Sequence, residues 1–138
     1  MIILDTNVVS EPLRLNPDPQ VVEWLDGQAP ETLYLTTITL AELLSGIELM
    51  PAGRKRTKLQ TALSEQMLPL FNQRILSFDI EAASHYARLN AKTRGAGRAI
   101  SFADCAIAAI ATTHGFSIAT RNGRDFKGTG VEILDPWG

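Results

Sequence analysis

The chain has 138 residues, 45% hydrophobic and 20% charged, which is the length and balance of one globular domain. That excludes a disordered chain, a collagen-like repeat and a disulfide-stapled miniprotein; Cys105 is the single cysteine, which favours a reducing cytosol and a buried packing role. The net charge of −2 is unevenly split: residues 1–48 hold eight acids and one base, Arg14, a local −7, whereas residues 49–138 hold twelve bases and seven acids, a local +5.

In chain order, Ile2–Asp5, Leu33–Thr36, Arg74–Phe78, Ser117–Thr120 and Val131–Leu134 are short apolar runs and read as strands covered on both faces, as in a parallel sheet. Between them lie helical patterns. Asp18-Pro19 supplies an N-cap and first-turn proline for a helix carrying Val22, Trp24 and Leu25. A second helix is predicted from about Thr39 to Met50, stopped by Pro51, and a third from about Arg54 to Leu68, stopped by Pro69. Asp79 caps a fourth that reaches about Arg94. Ser101 caps a fifth that ends at His114-Gly115, with glycine in the left-handed position. No repeat or linker interrupts the alternation, so the expectation is a single α/β domain over residues 1–138, with a central parallel sheet of five strands flanked by helices.

Several function classes drop out. The apolar runs are far shorter than the ~20 residues that span a bilayer, and Met1-Ile2-Ile3-Leu4-Asp5 has no basic region of a secretory signal, so a cytoplasmic protein without membrane contact is expected. There is no Walker-type glycine loop, and Gly95-Ala96-Gly97 follows a helix rather than a strand. No Gly-x-Ser-x-Gly elbow offers a serine nucleophile. Two basic stretches, Arg54-Lys55-Arg56 with Lys58, and Arg88, Lys92, Arg94 with Arg98, read either as solvated helix faces or as a polyanion track. The pI of about 5.6 argues against a dedicated duplex-DNA binder.

Three scattered carboxylates become one candidate site through topology, because strand C-termini and the following helix N-termini share one edge of a parallel α/β sheet. Asp5 ends the first strand. Glu42 is expected in the first turn of the helix after Leu33–Thr36, and Asp104 in the first turn of the helix opened by Ser101. Each has a structural alternative: Thr39-x-x-Glu42 and Ser101-x-x-Asp104 fit the capping box, and Asp5 suits a cap of the turn into Thr6-Asn7. Together, however, carboxylates on one edge repel unless a cation neutralises them. His85 and His114 are isolated and Cys105 is single, so zinc-type spacing is absent. An all-oxygen set selects Mg²⁺ or Mn²⁺, whose natural chemistry is phosphate-ester hydrolysis by an activated water.

The stretches Ile3-Leu4-Asp5-Thr6-Asn7-Val8-Val9-Ser10-Glu11-Pro12, Thr39-Leu40-Ala41-Glu42-Leu43, Asp104-Cys105-Ala106-Ile107-Ala108-Ala109 and Ala119-Thr120-Arg121-Asn122, in that order and with the closing Asp135-Pro136-Trp137, resemble a PIN domain of the VapC/FitB-like toxins of type II toxin–antitoxin pairs. The resemblance covers essentially the whole chain. It implies a Mg²⁺-dependent endoribonuclease, dimeric, neutralised by a cognate antitoxin that carries any DNA contact. It assigns metal binding to Asp5 and Asp104, with Glu42 as the third acid. Relatives often add a fourth acid after the fourth strand. Here that position is Asn122, which adds no negative charge, and the next acid is Asp125; either is a candidate fourth group. Thr6 and Thr120 are candidate donors to the acids, and Arg121, Arg124 and Lys127 are candidate RNA-backbone contacts.

Two other readings stand beside the nuclease. A PIN-like scaffold without catalysis would serve only as an interaction module. A small-molecule phosphatase would form an acyl-phosphate on Asp5, although such enzymes usually carry a second acid where this chain has Asn7.

Overall fold

A computed structural model describes residues 1–138. Its sheet is built from β1 (Ile2–Leu4), β2 (Leu33–Thr36), β3 (Ile75–Leu76), β4 (Ser117–Ala119) and β5 (Ile133–Leu134). The strand order is β3-β2-β1-β4-β5, and every neighbouring pair is parallel. All five strands therefore fall within the predicted apolar runs, although β3 and β5 keep only two ladder residues each.

The alternation of strand side chains divides the core into two layers. Ile3 and Ile118 face the layer closed by α5 (Ile80–Gly95) and α6 (Phe102–His114). Leu4 and Ala119, one residue further on, face the opposite layer with Val8, Val9, Leu35, Ile47, Leu63 and Phe71. Helix α6 is buried continuously from Cys105 to Ala111. Cys105 is a packing residue as expected: its thiol points at the Tyr86 carbonyl, and burial pushes its pKa up. Gly115 closes α6 with φ +69°, a conformation that a side chain would disfavour. No helix is long and apolar enough to cross a membrane.

The remaining helices are α1 (Thr6–Ser10), α2 (Pro19–Asp26), α3 (Thr37–Glu48) and α4 (Arg54–Thr61). Three differ from the sequence reading. The segment after Asp5 is a short helix rather than a turn, with Asp5 as its N-cap. Helix α3 starts earlier than Thr39, because the buried Thr36 hydroxyl accepts from the Thr39 N–H at 3.1 Å and serves as the N-cap. The predicted third helix remains α-helical only to Thr61. It widens into a π-turn over Ala62–Met67 and then tightens into a 3-10 turn over Leu68–Phe71 that includes Pro69, so the regular helix ends well before Pro69 and the proline sits inside the helical path rather than stopping it.

Candidate active site

The chain runs β1-β2-β3 to one side and then crosses back to place β4 and β5 on the other. The switch point lies between β1 and β4, and in an open parallel sheet the C-terminal ends of the strands at this point frame a crevice. Asp5 follows β1 there, and Thr120 follows β4. Their side chains meet: the Thr120 hydroxyl donates to Asp5 Oδ2 at 2.8 Å. The Thr6 N–H donates to Asp5 Oδ1 at 2.8 Å, and Asn7 Nδ2 reaches Oδ2 at 3.3 Å. Asp5 is only 6% exposed, so its charge is held by donors rather than by water.

Glu42 lies in the second turn of α3, a correction to the first-turn expectation that follows from Thr36 being the cap. The capping-box alternative for Glu42 therefore fails. Instead the Thr6 hydroxyl donates to Glu42 Oε1 at 2.7 Å. Residues 5 and 6 thus tie two acids together through one short segment, Asp5 through the Thr6 backbone and Glu42 through the Thr6 side chain.

Asp104 has a different environment. Its N–H donates to the Ser101 hydroxyl at 3.1 Å, which is the forward half of the capping box. Its carboxyl pKa is raised, first by burial and then by the charges of Asp5, Asp125 and Glu42, with the Ser101 hydroxyl pulling the other way. Four acids therefore share one field. As positioned, no three His, Cys, Asp or Glu side chains close around a single point. A small hard cation needs fewer protein ligands, commonly one or two carboxylates, with waters and substrate phosphate completing the octahedron. By donor chemistry, the residues present fit Mg²⁺ or Mn²⁺.

Of the two candidates for a fourth group, Asp125 acts on Asp104. It lies in the 3-10 turn Gly123–Phe126, anchored by the buried Phe126. Asn122 precedes that turn, exposed, and it enters the network through its backbone: its N–H donates to Thr120 Oγ1 at 3.1 Å and its carbonyl accepts from the Asp125 N–H at 2.9 Å. Arg124 and Lys127 line a cavity of about 310 Å³ together with Asp104, Asp125, Ser101 and Arg98. Arg121 does not join them. Its side chain turns away and stacks over Trp137 at 5.1 Å from the ring centroid.

Of the two basic stretches, Arg98, in the loop after α5, is the residue that reaches the site. Arg88 and Arg94 bond Ser84 and Asn90 on their own exposed helix face, which is the solvated-face reading, whereas the half-buried Arg56 pairs with Glu48. The sequence reading gave Asn7 no part in the site. Asn7 accepts from the Arg121 N–H at 3.1 Å and lies 3.4 Å from Thr120 Oγ1; its place in the run Asp5-Thr6-Asn7 was the available signal.

A parallel β3-β2-β1-β4-β5 sheet with carboxylates gathered at its switch point is the architecture of a PIN domain. The family profile, described as PIN domain, matches residues 2–132, and the chain belongs to that family. Within it, the chain groups with members named VapC and FitB. It is 50% identical to plasmid stability protein StbB of Pseudomonas syringae pv. tomato and 44% identical to toxin FitB of Neisseria gonorrhoeae, each match covering 99% of both chains. It is 47% identical to VapC ribonuclease Y4jK of Sinorhizobium fredii, over 99% of this chain and 98% of that one. Among solved structures it resembles FitAcB from Neisseria gonorrhoeae, with a TM-score of 0.95, 44% identity and 99% of each chain covered. It also resembles FitAB bound to the IR36 DNA fragment, with a TM-score of 0.96, 42% identity and 100% and 96% of the two chains covered.

Proposed function

We propose that the protein is a Mg²⁺-dependent endoribonuclease, the toxin of a type II toxin–antitoxin pair, acting in the cytoplasm. The observation that carries the reading is the shared field of Asp5, Glu42, Asp104 and Asp125 beside a cavity walled by Arg98, Arg124 and Lys127. The near-identical length and the 47% and 44% identity of relatives named as a ribonuclease and a toxin support the same reading.

A divalent cation bound at this edge supplies Lewis-acid polarisation of a phosphodiester and a more acidic attacking water. Asp5 and Asp104 are the principal ligands. Asp5 is pre-oriented by the Thr120 hydroxyl, the Thr6 N–H and the Asn7 amide, so little reorganisation is needed when substrate arrives. Glu42, more exposed and steered by Thr6, is placed to orient water. Arg98, Arg124 and Lys127 hold the flanking backbone, so that a polyanion approaches an acidic centre through a basic rim. Compact reach to one phosphate suits single-stranded or looped RNA.

The partner is a cognate antitoxin. A basic side chain from it, paired bidentately with Asp5, Glu42 or Asp104, would occupy the cation's place and block phosphate entry. DNA contact then belongs to the antitoxin, consistent with the acidic pI of this chain. Exposed Leu44, Leu49 and Leu70 offer apolar surface for a homodimer.

The test is purified protein with labelled total RNA, with Mg²⁺ or with EDTA. Discrete cleavage with Mg²⁺ and none with EDTA is expected; cleavage indifferent to EDTA, or none at all, would sink the reading. Expressed alone, the wild type should arrest growth and Asp5→Asn should not.

A further inference from the structure

We infer that the cavity between Arg14 and Trp137 is a nucleotide subsite that stacks one unpaired base of the RNA next to the scissile phosphate, an inference that rests on the nuclease reading. The cavity measures about 500 Å³, and its walls include Glu11, Arg14, Asp18, Arg121 and Trp137.

Its position ties it to the acid edge. The Arg121 N–H donates to Asn7 Oδ1 at 3.1 Å, and Asn7 Nδ2 reaches Asp5 Oδ2 at 3.3 Å, so the residue that opens the cavity is bonded through one side chain to the site carboxylate. The basic-rimmed cavity at Asp104 holds Arg124 and Lys127 but not Arg121. A strand crossing the edge therefore meets arginine side chains at both ends, those at the second cavity balanced by Glu11 and Asp18.

Its chemistry is that of base recognition. The Arg121 guanidinium lies over the Trp137 indole, and this pair offers a flat cationic surface on which a base stacks. The Trp137 backbone is held by its main-chain N–H, which donates to Asp135 Oδ1 at 2.9 Å. Opposite stands Arg14, 63% exposed, held at 3.0 Å by a Glu11 carboxylate that is 3% exposed. Glu11 also accepts from the Asp18 N–H at 3.4 Å, and the Asp18 carboxylate caps α2 through the Gln20 N–H. Both carboxylates are engaged with the protein, which leaves the Arg121 guanidinium and the part of the exposed Arg14 guanidinium not bonded to Glu11 to meet a ligand. A buried carboxylate that fixes an exposed arginine is a positioning device for a phosphate contact. The same surface could face a protein partner, but an aromatic–guanidinium stack bonded to a phosphate-cleaving edge favours nucleic acid.

The experiment uses the two tryptophans. In a Trp24→Phe background, Trp137 is the only indole. Short oligoadenylate, and an abasic oligomer of equal charge, are titrated in EDTA so that nothing is cut. Oligoadenylate should quench the Trp137 emission, and the abasic oligomer should quench it far less. By anisotropy, Arg121→Ala should weaken oligoadenylate binding about tenfold while affecting the abasic oligomer little. Arg121→Lys, which keeps the charge but not the plane, should fail to restore the preference. Full rescue by lysine would mean a phosphate grip and overturn the stacking assignment. So would equal quenching by both oligomers, or Arg121→Ala and Trp137→Ala variants that bind RNA normally and lose affinity only for a protein partner. A wild type that cleaves with Mg²⁺ while Arg121→Ala keeps the same KM removes the subsite alone. A wild type that neither binds nor cleaves RNA removes the nuclease reading and the subsite with it.

Discussion

Asp5 and Asp104 occupy the same sheet edge in opposite electrostatic conditions. Asp5 is buried and receives the Thr6 N–H, the Thr120 hydroxyl and the Asn7 amide. Asp104 has the Ser101 hydroxyl for help and is burdened by desolvation and by three neighbouring carboxylates. One acid is compensated by hydrogen bonds from the protein; the other keeps a raised pKa among like charges. In the proposed cation site the difference would separate two tasks, since a pre-bonded ligand fixes where an ion sits and an under-compensated ligand supplies the drive to bind it.

Substituting each acid should break that comparison most visibly. Asp5→Asn and Asp104→Asn should both reduce cleavage of labelled RNA by about a hundredfold or more, because metal-based stabilisation of the transition state amounts to several kcal/mol. Their stabilities should diverge. In EDTA, Asp5→Asn should melt below the wild type, having traded charge-assisted bonds for weaker ones, whereas Asp104→Asn should melt above it. The sign follows from linkage: the folded state holds the Asp104 proton more tightly than the unfolded chain does, so stability falls as pH rises from the ordinary carboxylate value through the raised one. Melting curves below that window should bring Asp104→Asn and the wild type together.

Thr120→Val sharpens the comparison from the Asp5 side. It removes the 2.8 Å donor to Asp5 and the acceptor of the Asn122 N–H, with an expected cost of about 1–3 kcal/mol in urea denaturation and a clear fall in cleavage rate. From the Asp104 side, Asp125→Asn should raise the Mg²⁺ concentration needed for half-maximal cleavage. Asn122→Asp should lower it, because it adds a negative charge beside Thr120, whose hydroxyl is bonded to Asp5. The smallest effect belongs to Thr36→Ala, which loses the α3 N-cap at about 1 kcal/mol and leaves cleavage near the wild-type level.

The parallel strands and most helix limits were legible because apolar runs, proline stops and the Ser101 and Gly115 caps are local signals. The grouping of Asp5, Glu42 and Asp104 on one edge followed from topology alone. What escaped was decided by tertiary contact. Thr36 and Thr39 offer the same capping chemistry, and burial of Thr36 at the strand end chose between them. The widening of the helix after Thr61 accompanies the packing of Leu63 and Met67 into the core layer. Arg121 looked equivalent to Arg124 and Lys127, since its partner Trp137 is sixteen residues away and no local pattern joins them.

The most direct test is a calorimetric titration of Mg²⁺ into the wild-type protein and into Asp104→Asn, with folding of both verified by circular dichroism. Saturable binding in the wild type and its loss in the variant are the expected results. Indistinguishable titrations, or no saturable heat in a wild type that cleaves RNA, would contradict a cation held by the Asp5–Asp104 edge.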